Sequence, residues 1–251
     1  MKKILLVFLI SFLTNSISAQ VNVRDSVVSS WMIGAHFSGF VPAGDLADRY
    51  GAIYSPSLSV GRKTQGNWLF GVEGSFFFGG QVNNLIDIFG DLISEQGYFI
   101  GLNGEYAAVE FQHRGLYGGG YFGKILPILN PNPNSGLFFK VGVGFLQNRI
   151  FIRDPQGAYP QLQGDYGRGY DRLHSGLTLR QEIGYLNSGS NKTVNFMVSF
   201  DFIQGFVSNE REYNWDKQSF ELANKLDLYF GLRLTWFLPI YDKNQQKFYY
   251  Y

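Results

Sequence analysis

The sequence predicts an all-β chain closed into an eight-stranded, antiparallel, up-and-down transmembrane β-barrel, and three observations predict it. The first is composition. Of 251 residues, 18% are aromatic and only 16% charged, yet the mean hydropathy is −0.09. A soluble domain carries about 25% charge, and a helical membrane protein would be far more hydropathic. An apolar lipid face alternating with a polar lumen gives this neutral, aromatic-rich balance. The second observation is a period of two that recurs along the chain. The third is the alternation of tight turns with long loops, the layout of an outer-membrane barrel with turns on the periplasmic side and loops outside.

The N-terminus reads as a secretory signal peptide. Two lysines precede the apolar run Ile4–Leu13, and the small residues Ser16, Ser18 and Ala19 follow. The run is too short to span a bilayer. Cleavage after Ala19 would leave residues 20–28 as a periplasmic segment, 29–238 as the barrel and 239–251 as a periplasmic tail. The chain has no cysteine, which excludes a lipoprotein anchor, disulfides and thiolate metal sites. The net charge of +1 gives no reason to invoke nucleic acid.

Eight strands are expected, at 30–40, 52–62, 67–79, 107–125, 136–151, 173–187, 192–206 and 222–237. Residues 194–206 set Val194, Phe196, Val198, Phe200 and Phe202 against Asn195, Met197, Ser199 and Asp201. Residues 225–236 set Leu226, Leu228, Phe230, Leu232, Leu234 and Trp236 against Asp227, Tyr229, Gly231, Arg233 and Thr235. Tight turns fall at Lys63–Asn67, Pro127–Ser135 and Asn187–Asn191; Val41–Gly51, Gly80–Tyr106, Arg153–Arg172 and Ser208–Glu221 are long loops. The triplet Gly118-Gly119-Gly120 suggests a bulge or a close backbone approach.

The same parity assigns His36, Glu73, Glu110, Gln112, Arg114, Lys140, His174, Arg180, Glu182, Asp201, Asp227 and Arg233 to the lumen. An eight-stranded barrel is just wide enough to be filled by side chains. Charges of both signs in such a space are expected to pair across it as a plug; a conducting pore would be blocked by the same residues.

The C-terminal strand carries a further signal. Tyr229, Gly231, Leu234 and Trp236 stand at the spacing of a polar residue, a glycine two further on and two spaced hydrophobic or aromatic residues. That spacing resembles the recognition signal read by the barrel-assembly machinery. The whole of 28–238 resembles small outer-membrane β-barrel proteins of Gram-negative bacteria, of the OmpX and OmpA-barrel plan. The loop "VPAGDLADRYG" and the following "SPSLSVGRKTQGNWLFGVEGSFFFGG" most resemble barrels of the Bacteroidota. The resemblance implies residence in the outer membrane, contact with its lipid and passage through the assembly machinery.

Beyond that strand, Pro239 is expected to stop the ladder, and "YDKNQQK" reads as a solvated linker. The aromatic end, Phe248, Tyr249, Tyr250 and Tyr251, suits anchoring at the inner-leaflet interface, docking on a periplasmic partner, or a frayed end with no role.

Two outer loops carry candidate contact residues. Leu85, Ile86, Phe89, Leu92 and Ile93 fall at helical spacing and predict a short amphipathic helix, either capping the barrel mouth or offering a face to a partner. Tyr159, Tyr166 and Tyr170 either pack on one another or contact a protein or glycan. Asp154, Asp165 and Asp171 lack the spacing of a calcium loop.

No glycine loop precedes a helix, and no metal or cofactor motif stands out. For catalysis, His36 shares a face with Ser38, and His174 is followed by Ser175, but no third orienting group is evident for a lipid A hydrolase. The expectation is a non-enzymatic barrel with a structural or accessory role, displaying its loops to a secretion, barrel-assembly or surface-lipoprotein complex. A narrow channel or small-ligand binder is the alternative, and a lipid A-modifying hydrolase comes third.

Overall fold

The computed structural model describes residues 26–241 apart from 95, 97, 102, 130–131, 158, 163, 190–193, 212, 215–218 and 221–222. The expected signal peptide and Phe248–Tyr251 lie outside the described residues.

Eight long strands form one closed sheet: β1 (Ser30–Gly44), β2 (Ile53–Lys63), β3 (Trp68–Gly79), β4 (Glu110–Leu126), β5 (Gly136–Arg153), β6 (His174–Ser188), β7 (Asn195–Asn209) and β8 (Lys225–Tyr241). Each pairs antiparallel with its neighbour in the chain, and β8 closes on β1 from Ser30↔Tyr241 to Gly44↔Asp227. Closure leaves no sheet edge to satisfy.

Alternation drives the side-chain placement. In β1, Trp31, Ile33, Phe37 and Val41 point outward and are exposed, while Met32, His36, Ser38 and Phe40 are buried inside. In β7, Phe196, Val198, Phe200 and Phe206 are outside and Met197, Ser199, Asp201 and Ile203 inside. The result is an apolar outer wall around a filled interior.

The short turns and both strand termini, Ser30 and Tyr241, lie at one end, and the long loops lie at the other. At the loop end, α1 (Asp45–Arg49) folds over the mouth with Leu46 fully buried. The next long loop carries α2 (Leu85–Phe89), a 3-10 turn at Gly90–Leu92 and a ribbon pairing Phe99–Ile100 with Tyr106–Ala107. The third carries a 3-10 turn at Pro160–Leu162 and α3 (Gly164–Gly167), and the fourth a ribbon pairing Tyr213–Asn214 with Ser219–Phe220.

Two expectations are corrected, and the two readings of the glycine triplet are told apart. Pro239 does not stop the ladder: it lies buried within β8, opposite Met32. Among the described residues, β8 pairs beyond Trp236 with β1 alone, and a proline is tolerated where one side of a strand needs no ladder hydrogen bond. The glycine triplet is not a bulge, because Gly118↔Phe145, Gly119↔Gly144 and Gly120↔Val143 run in continuous register. It marks a close approach instead: a Cβ on Gly119 would lie 2.5 Å from the Tyr117 hydroxyl. Finally, β4 has the opposite parity to that expected. Glu110, Gln112 and Arg114 face outward, and His113, Tyr117 and Ile125 face in. The glycines and the aromatics on both faces of β4 blur its alternation, so the sequence pattern carried little directional information there.

Candidate functional site: a charged lumen beneath a packed loop cap

The lumen is layered. At the turn end, Met32, Leu69, Ile125, Phe138, Leu186, Met197 and Phe237 form an apolar floor. Beneath it, Asn134 of the β4–β5 turn pins the N-terminal segment, accepting from Val28 N at 2.8 Å and from Lys63 Nζ at 2.7 Å.

Above the floor sits the charged layer. It joins Glu73 (β3), Lys140 (β5), Arg180 and Glu182 (β6), Asp201 (β7) and Arg233 (β8), all buried. Arg180 bridges Glu73 (Nη1 to Oε1, 3.0 Å) and Asp201 (Nε to Oδ1, 2.9 Å). Arg233 bridges Glu73 at 3.0 Å and Glu182 at 3.5 Å, and Lys140 pairs with Glu182. Three cations meet three carboxylates, so the layer itself carries no net charge. Tyr117 lies 5.3 Å from the Arg180 guanidinium, and the Ser199 hydroxyl donates to Glu182 at 2.7 Å.

His36 borders this layer. Its ring nitrogens meet Thr235 Oγ1 at 2.7 Å and Ser59 Oγ at 2.8 Å, inside the lumen and away from lipid. Neither pairing supplies a carboxylate to orient the ring, and Ser175 hydrogen-bonds Glu210 rather than His174.

A second polar cluster closes the loop end, and sequence reasoning missed most of it. Arg49 of α1 donates to Asp227, whose other oxygen accepts from Asn148 Nδ2 at 3.1 Å. Tyr229 and His113 both donate to Asn148 Oδ1, at 2.9 and 3.1 Å. Asp227 thus belongs to this cluster rather than to the central one. Arg49 sits in a loop, and only the folding of α1 over the mouth could reveal its partner.

Above these, the loops pack on one another. Phe89 is buried, with its ring centroid 4.4 Å from Phe111, 5.8 Å from Tyr170 and 6.2 Å from Phe99. The buried Tyr159 donates its hydroxyl to the Leu92 carbonyl at 2.9 Å. Leu85 and Leu92 pack against this core, Ile93 is half-buried, and Ile86 and Tyr166 remain exposed. In the last strand, Tyr229 is buried inside, and Leu234 and Trp236 point outward.

The outer wall decides the setting. Its middle is a continuous apolar belt, with Leu58, Val72, Val143, Leu177, Phe200 and Leu232 all at least half exposed. At the turn end the belt ends in aromatic and basic residues. Trp68 stacks on Phe122 at 4.9 Å, Lys124 stands over Trp68 at 4.4 Å, and Arg62 over Trp31 at 5.6 Å. From the middle towards the loop end, Phe37 stacks on Tyr54 at 6.3 Å and Phe202 on Phe230 at 4.4 Å. Apolar side chains exposed on this scale need lipid, and aromatic girdles mark the two interfaces of its bilayer.

This is a small outer-membrane β-barrel.

No known protein family and no curated protein matches the sequence. Solved structures similar to the barrel include Neisserial surface protein A, at 12% identity and a TM-score of 0.40, covering 83% of this chain and 97% of that one. Ail of Yersinia pestis, in complex with the heparin analogue sucrose octasulfate, gives 12% identity, a TM-score of 0.39 and coverage of 84% and 99%. OprG of Pseudomonas aeruginosa gives 8%, 0.37, and 85% and 98%. Likeness at this level concerns the fold alone.

Proposed function

We propose that this outer-membrane barrel is a non-enzymatic structural or accessory subunit that displays its outer loops to partner proteins. One observation carries the reading. The loop cap is held by its own aromatic core, yet it leaves Ile86 (75%), Tyr106 (69%), Tyr166 (62%) and Ile100 (47%) exposed. Loops ordered in advance lose less entropy when they bind, and exposed apolar side chains are what a protein contact would cover. A secretion, barrel-assembly or surface-lipoprotein complex fits this description. The filled lumen argues against a channel, and the placement of His36 argues against a lipid hydrolase. Tyr229, Gly231, Leu234 and Trp236 are proposed as the strand signal read during insertion. The tail residues Phe248–Tyr251 are proposed as an anchor at the inner interface.

The test is gentle detergent extraction from native membranes, capture on a tag placed in the 187–191 turn, and mass spectrometry. A stoichiometric partner that is lost from an Ile86→Asp/Tyr166→Ser variant supports the subunit reading. A lone monomer in every preparation sinks it.

A further inference from the structure

On the outer wall, strands β4 and β5 carry a ladder of outward pairs near the loop end. From the membrane outward these are Leu116↔Gln147, Arg114↔Arg149, Gln112↔Phe151 and Glu110↔Arg153. Two arginines therefore stand directly opposite each other. Like charges placed so are unfavourable unless something anionic lies between them. The only carboxylate in the ladder, Glu110, is held by Arg153 at 3.5 Å. Among the described residues, Arg114 and Arg149 have no carboxylate within ion-pair distance; Arg114 donates instead to the Gln112 side chain.

The pair sits in a groove of about 430 Å³, lined also by Phe76, Leu116, Gln147 and Phe151. The Arg114 guanidinium lies 5.8 Å from the Phe76 ring and 5.6 Å from Phe151, and Arg149 lies 6.0 Å from Phe151. The guanidiniums are thus supported on aromatic faces rather than left free to sweep through solvent.

Height fixes the environment. Lys124, on the same face of β4 as Arg114, marks the periplasmic interface beside Trp68. Ten residues on one strand span ~33 Å at ~3.3 Å per residue, or ~25 Å along the membrane normal at a tilt of ~40°. That equals the height of the apolar band of such barrels, ~25 Å. Arg114 and Arg149 therefore sit where the hydrocarbon ends and the headgroups of the outer leaflet begin.

We propose that Arg114 and Arg149 clamp a phosphate of a phosphorylated glycolipid in the outer leaflet. The two guanidiniums chelate the phosphate oxygens, as planar donor forks do. Phe76, Phe151 and Leu116 contact the sugar and the start of the acyl chains. Charge complementarity and height together select a lipid headgroup over a soluble anion, because the groove opens along the membrane wall.

The experiment uses the full chain, delipidated in detergent and titrated with bisphosphorylated lipid A under native mass spectrometry. Dephosphorylated lipid A and inorganic phosphate serve as the comparison probes. Wild-type protein is expected to retain the phosphorylated lipid. Arg114→Gln/Arg149→Gln is expected to bind it about tenfold or more weakly, a loss of about 1.4 kcal/mol or more. Arg62→Gln, at the opposite interface, should bind as wild type. On the outer wall Arg149 is exposed and Arg114 half-buried, and single Arg149→Gln, next to the end of its pairing with β6, provides a milder second variant. Folding is checked by the unheated mobility on a gel. Equal binding by the arginine variants overturns the proposal, as does equal binding of dephosphorylated lipid A. Displacement of the lipid by millimolar inorganic phosphate would make this a free-anion site and overturn the lipid assignment.

Discussion

Arg233 Nη2 meets Glu73 Oε2 at 3.0 Å in the middle of the lumen, although 160 residues separate them in the chain. One belongs to β8 and the other to β3, so the contact exists only once the barrel has closed. Arg180 holds the other oxygen of the same carboxylate. Glu73 therefore ties the two buried guanidiniums together, and Asp201, paired with Arg180 and 3.7 Å from Arg233, does so a second time.

Removing one member should leave an unpaired buried charge. Arg233→Met is expected to cost about 3–5 kcal/mol. Glu73→Gln/Arg233→Met should cost less than the sum of the two single changes, because they share partners. Urea unfolding in detergent, read by tryptophan fluorescence, checks both. Additive single changes would show that the pair is not coupled.

The lumen should not conduct. The buried side chains of the apolar floor and the charged layer fill the interior, so purified protein in a planar bilayer is expected to show no resolved conductance steps. Reproducible open steps from wild-type protein would contradict the filled interior.

Tyr50 should make the loop cap sensitive to alkali. It is buried at the barrel mouth, with the His113 ring centroid 4.3 Å away and the Arg49 guanidinium 5.5 Å away, and its hydroxyl has no hydrogen-bond partner among the described residues. Burial pushes its hydroxyl from 10.0 up to about 12; Arg49 and Arg172 oppose the rise, and Asp227 and Asp171 add to it. The folded state thus keeps a proton that the unfolded chain releases. Stability is complete below about pH 10 and falls as pH rises towards about 12, by roughly 2–3 kcal/mol. Tyr50→Phe should be as stable as wild type at neutral pH and lose less on raising the pH. Matching alkaline unfolding curves for the two proteins would refute this.

Gly144 should not accept a side chain. A Cβ there would lie 2.5 Å from the Gly118 carbonyl oxygen and 2.6 Å from the Tyr117 ring. Tyr117 in turn lies against Arg180, so the disturbance reaches the charged layer. Gly144→Val is expected to destabilise by about 1–3 kcal/mol or more. Tyr117→Ala should relieve part of that cost when the two are combined, which the same urea titrations would reveal.

The parity of most strands was legible because one face is uniformly apolar. In β7 and β8 the run of Phe200, Phe202 and Phe206, or Leu232, Leu234 and Trp236, leaves a single assignment of faces. The charges Arg180, Glu182, Asp201 and Arg233 follow from it. β4 lacked that asymmetry. Tyr117 and Tyr121 face in, Leu116 and Phe122 face out, and glycines fill the middle, so alternation alone puts Arg114 on the wrong side of the wall. Arg49 and Asn148 were invisible for another reason: a loop helix and a neutral polar residue acquire meaning only from what they touch.

Period-two alternation and turn spacing are local properties of the chain, so the class of object, the number of barrel strands, most of the inward charges and the long-loop face can be read from the sequence alone. Which charges pair, that Arg49 locks α1 onto Asp227, that the loops share one aromatic core, and that Arg114 stands opposite Arg149 on the outer wall all come from the folded barrel. Those contacts depend on closure and register, which bring together residues far apart in sequence, and local pattern does not encode such distances.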